Sequence, residues 1–122
     1  MKKHNFREIK IWQESVVMVK EVYEFSTQLP TEEKFGITSQ INRSAVSIPS
    51  NIAEGSGRTT NKEFVRFLEI AISSSYELET QLILAEDLFN MSSKELIKNL
   101  NALQNRIGGF TRQIKSRIEN DI

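Results

Sequence analysis

The chain has no cysteine, which excludes disulfides and thiolate metal sites and suits a reducing compartment. It has one histidine, His4, placed near the N-terminus and read as a solvated residue. Any metal site would therefore rest on carboxylates, and the helical Glu-x-x-His pairs of di-iron bundles are absent. No apolar run approaches the roughly 18 residues of a membrane span. The opening residues, MKKHNFREIK, lack the apolar core and small-residue cleavage site of a signal peptide. A cytoplasmic protein with no membrane role is expected. Net charge is also missing: sixteen Lys/Arg stand against sixteen Asp/Glu, so any affinity for a polyanion must come from how charge is distributed. The segment Gly55 to Arg58, GSGR, is too short for a phosphate loop and follows a helix. No serine has a histidine or lysine at a spacing that suggests a triad. The residues nominate no catalytic group, cofactor or metal ligand, and no enzyme is expected.

What is present is helical periodicity. With 122 residues, 39% of them apolar and 26% charged, the chain suits one globular domain, residues 1–122. Four amphipathic segments are predicted at about residues 7–28, 32–54, 61–89 and 93–119. In the first, Ile9, Trp12, Val16, Val19, Tyr23 and Ser26 form the stripe, widened by Val22, Phe25 and Leu29, and Pro30 ends it. The second opens at Thr31, whose hydroxyl can cap free amides. Its seam is Ile37, Ile41, Ala45, Ile48 and Ile52. Pro49 deprives the Ala45 carbonyl of its donor, so a kink without a break is expected, with a nearby Ser or Asn side chain, or a water, supplying a substitute bond. Gly55 suits a left-handed residue past the helix end.

The third helix starts with a capping box, Thr60 to Glu63, and its seam is Phe64, Phe67, Ala71, Ser75, Leu78, Leu82, Ala85 and Phe89. Ser73, Ser74 and Ser75 allow close approach of a neighbour. A second box, Ser92 to Glu95, opens the fourth, with Leu96, Leu100, Leu103, Ile107, Phe110, Ile114 and Ile118 as its seam. Gly108 and Gly109 interrupt it at a cost of about 1 kcal/mol each, and close packing is the expected reason. Short loops between such helices specify an all-α, up-down-up-down antiparallel four-helix bundle.

Two groups of polar residues follow from that fold. Arg43, Asn51, Glu54, Arg66 and Glu77 lie near the facing sides of helices two and three, where a hydrogen-bonded network around Pro49 would satisfy them. The alternative is that they sit at the surface. The second group is basic. An up-down bundle gathers both termini and the turn between helices two and three at one end. Residues 1–13, 43–73 and 107–122 hold eleven Lys/Arg and six Asp/Glu, a charge of +5, and the remainder carries −5. Lys2, Lys3, Arg7, Lys10, Arg58, Lys62, Arg112, Lys115 and Arg117 are the candidate nucleic-acid contacts at that end. Ile11, Met18, Ile70, Ile72, Ile83 and Leu84 fall outside the seams, so some are expected to meet another subunit through helix one or helix three.

The segment RSAVSIPSNIAEGSGR, Arg43 to Arg58, resembles the 23S rRNA intervening-sequence proteins. The likeness continues through KEFVRFLEIAISSSYELETQL, Lys62 to Leu82, and more loosely through IWQESVVMVKEVY and EKFGITSQI. The resemblance implies a four-helix bundle assembling as a homopentameric ring. It also implies kinship with the accessory protein of diversity-generating retroelements, which is basic and works with a reverse transcriptase and nucleic acid. It carries over no catalytic residue. Two functions result. One is a non-enzymatic oligomeric scaffold that contacts RNA, DNA or a reverse-transcriptase-like protein through its basic end. The other is a protein–protein interaction module with no nucleic-acid role.

Overall fold

The computed structural model describes residues 4–118. Four helices, α1 (Lys10–Ser26), α2 (Ile37–Ser56), α3 (Asn61–Phe89) and α4 (Lys94–Lys115), form an antiparallel bundle, with no strand among the described residues. α1 packs on α2, α2 on α3, α3 on α4 and α4 on α1, the α2–α3 pair being the most extensive. One continuous apolar core runs through the bundle. Ile41, Ala45, Ile48 and Ile52 of α2 are fully buried, as are Phe64, Ala71, Leu78 and Leu82 of α3. Burying each larger side chain contributes about 1.5–3 kcal/mol.

α1 departs from its expected phase. Its buried face is Ile11, Ser15, Met18, Val22, Phe25 and Ser26, while Tyr23 is 46% exposed and Trp12, Val16 and Val19 are half-buried. Ser15 and Ser26 can enter the core because each hydroxyl donates to its own helix, to Trp12 O at 2.8 Å and Tyr23 O at 3.0 Å. Ile11 and Met18, two of the six candidates for a subunit contact, belong to the protomer's own core.

α2 begins later than expected. Thr31–Glu33 form a single 3-10 turn, and the α-helix starts only after Gly36. It then runs without a break through the buried Pro49. The Asn51 amide supplies a side-chain donor here, to Ser47 O at 2.8 Å and to Ser47 Oγ at 3.0 Å, and not to the Ala45 carbonyl. Gly55 is not a left-handed cap. It lies inside the helix, and no described glycine has positive φ. Its value is space: a Cβ there would fall 2.7 Å from Phe67 Cβ and 2.9 Å from Phe64 Cδ1. The end of α2 can meet the start of α3 only with a hydrogen at that position.

The Thr60 cap forms as read, its hydroxyl oxygen accepting from the Glu63 amide at 3.1 Å. The Glu63 carboxylate in turn accepts from the Thr59 hydroxyl at 3.2 Å. α3 ends at Asn90 with φ 53°, a left-handed geometry that asparagine tolerates better than most residues. The second capping box is replaced by a tertiary contact. Ser93 precedes α4, but its amide and hydroxyl both donate to Glu86 of α3, at 2.7 and 2.6 Å. These charge-assisted bonds hold the Glu86 carboxyl below its usual range, the hydroxyl contributing first and the amide second.

Candidate nucleic-acid interface

The antiparallel fold brings three basic segments to one end, and hydrogen bonds tie them there. The His4 amide donates to Ser56 O, at the end of α2, at 3.4 Å. The Asn61 side chain, opening α3, donates to Arg117 O beyond α4, also at 3.4 Å. Beneath them the Phe64 ring lies 5.3 Å from His4 and 5.7 Å, edge-on, from Phe110. His4 is thus part of the closure of this end and not a solvated residue. Burial first, and the Arg117 charge second, push its imidazole below the usual pKa.

Around this closure Arg7, Lys10, Lys62, Arg112, Lys115 and Arg117 are exposed. Arg58 is half-buried, its guanidinium 4.5 Å from the Phe67 ring centre and its Nη2 3.9 Å from Glu54 Oε1. Lys115 lies 3.6 Å from Glu69. Such exposed pairs are worth at most about 1 kcal/mol and leave most of the positive potential in place. Lys2 and Lys3 lie outside the described residues. The described part of this half still holds nine Lys/Arg and four Asp/Glu, so the +5 persists.

The five residues expected to form a polar network are not bonded to one another, and the hydrogen bonds between α2 and α3 are made mainly by other residues. Of the five nominated, Arg43, Glu54, Arg66 and Glu77 are exposed and Asn51 is half-buried. Arg66 and Glu77 line a shallow groove with Ile70 and Ser73. The links between the two helices are serines, Ser44 buried and Ser47 and Ser74 half-buried. Ser47 and Ser74 share a hydrogen bond at 2.8 Å, and Asn51 donates to Ser47. The Ser44 hydroxyl lies 2.9 Å from Gln81 Oε1 and 3.0 Å from Glu77 Oε1, close enough to donate to either. The signal in the sequence was the density of small polar side chains at Ser44, Ser47 and Asn51 beside Pro49. Gln81 carried none, because only the packing places it opposite Ser44.

Among the described residues no group of three His, Asp or Glu is arranged to hold a metal ion, and no helix is long and apolar enough to cross a membrane. What the site offers is a cationic end closed by the packed rings of His4, Phe64 and Phe110.

The sequence model of the 23S rRNA-intervening sequence proteins matches residues 7–112. The chain belongs to that family. The match spans all of α1, α2 and α3 and most of α4, including the Arg58 turn and Arg112. A crystal structure of a protein of unknown function from the S23 ribosomal protein family of Bacteroides thetaiotaomicron is similar, with a TM-score of 0.68 and 25% identity. The similarity covers 85% of this chain and 96% of the other. No curated protein matches the chain.

Proposed function

We propose that this intervening-sequence protein is a non-enzymatic, cytoplasmic scaffold that assembles with itself, as a pentameric ring, and engages RNA, DNA or a reverse-transcriptase-like protein through its basic end. The observation that carries the reading is the joining of three basic segments by His4, Ser56, Asn61 and Arg117. A ring would align these ends on one face and multiply weak phosphate contacts. Exposed Ile70, Ile83, Leu84 and Leu88 on α3 supply apolar surface for subunit contact.

The test is duplex and single-strand binding by anisotropy over a salt series. If about four phosphates are neutralised, affinity falls roughly a hundredfold between about 50 and 200 mM salt. Arg58→Gln/Lys62→Gln/Arg117→Gln should weaken it further and flatten the salt slope. No binding at low salt favours the second reading, a protein–protein module using the same α3 surface. Light scattering at the mass of a single chain would remove the ring.

A further inference from the structure

Charge in this bundle is divided between neighbouring helices as well as between ends. α4 carries five Lys/Arg and one Asp/Glu, whereas α3 carries two and six. α4 contributes none of the exposed large hydrophobic residues, whereas α3 contributes five. Along α4, Lys98, Asn105 and Arg112 follow a seven-residue spacing and share one outward row. All three are exposed. Lys98 and Arg112 pair with no carboxylate among the described residues.

Beside that row lie Gly108 and Gly109, and nothing inside the protomer needs them. A Cβ at either would meet only the Arg112 guanidinium, at 3.5 and 3.7 Å. The expectation that close packing explains this pair is therefore wrong within the protomer. The pair removes side-chain bulk from the half-buried stretch of helix beneath the Arg112 guanidinium, so a phosphate–sugar chain that engages this arginine can approach the backbone closely.

We infer that the outer face of α4, from Lys98 past the glycines to Arg112, is a docking surface for the backbone of a nucleic-acid duplex. This rests on the nucleic-acid reading above and extends it beyond the basic end. A duplex is favoured over a single strand by the chemistry of the face. Single-strand grooves present aromatic platforms on which bases stack. The one aromatic residue of α4, Phe110, is instead packed edge-on to Phe64. Lysine, arginine and amide side chains suit phosphate and sugar contacts, which position a duplex without reading its sequence. The row from Lys98 to Arg112 spans about 21 Å, a little over half a turn of duplex.

The experiment compares short RNA and DNA duplexes with a single strand of equal length, by anisotropy over a salt series. Lys98→Gln, which leaves every cation of the basic end in place, is expected to weaken duplex binding roughly threefold and reduce the salt slope by about 1. Gly109→Glu should keep the fold, since it replaces glycine by a better helix former, and lose duplex binding. Circular dichroism and melting confirm that both variants are folded. Undiminished duplex binding by both variants, with loss in Arg58→Gln/Lys62→Gln, overturns the α4 surface and leaves the basic end standing. Tighter binding to the single strand also overturns it. If the unaltered protein binds no nucleic acid at low salt, both readings fall together.

Discussion

Gly55 and the Gly108–Gly109 pair are the same residue type in opposite situations. At Gly55 an added methyl would collide with two phenylalanines of α3, whereas at Gly108 and Gly109 it would meet only the tip of one arginine. The first glycine is required by the interior of the protomer. The second pair is a cost the protomer bears without internal return. A glycine in a helix therefore says little until its surroundings are known.

The sharpest way to break this contrast is Gly55→Ala. Overpacking against Phe64 and Phe67 should lower stability by about 3 kcal/mol, read as a lower urea midpoint at constant slope. An unchanged midpoint would mean that α2 and α3 can separate there without penalty. Next in size is Ser44→Ala. Removing a buried hydroxyl that serves Gln81 should cost about 1–2 kcal/mol by the same measurement, and a neutral result would show that the serine seam is idle.

Gly108→Ala should move stability the other way, raising it by about 1 kcal/mol because the helix gains propensity without a clash. A loss instead of a gain would reveal a close neighbour at α4. The smallest effect concerns pH. The Glu86 carboxyl is held low in the folded state, so its contribution is complete above the ordinary carboxylate pKa and disappears as pH falls through the lowered value. Glu86→Gln should flatten this acid limb of the stability profile. An identical limb in the variant would separate the Ser93 contact from stability.

Much of the fold was readable in advance where local rules coincide with packing. The α2 seam from Ile41 to Ile52, the Thr60 cap and most of the α4 row from Leu96 to Ile114 appear as the periodicity indicated, Phe110 being half-buried where Thr111 is buried. The failures have a common cause. In α1 the count of apolar residues chose Tyr23 over Ser15, because a serine that satisfies its hydroxyl within its own helix looks polar and behaves as small. At α4 the sequence offered a local box, but Glu86, seven residues before Ser93, took both of that residue's donors. Gly55 was read for conformation when its use was volume. The basic end needed topology before it could be seen, since its members are scattered from Arg7 to Arg117. Once antiparallel packing was granted, they followed.

The serine contacts between α2 and α3 have one further consequence. Two smooth rows of isoleucine and leucine can slide past each other by a helical turn, about 5.4 Å, at modest loss, because one aliphatic notch resembles the next. Ser44 opposite Gln81 and Ser47 opposite Ser74 mark one setting. A slipped pair would have to break the buried Ser44–Gln81 contact and the half-buried Ser47–Ser74 contact together. The polar contacts thus act as a vernier, giving the two helices a single longitudinal setting and, with it, fixing where the Arg58 turn stands relative to the far ends of the chain.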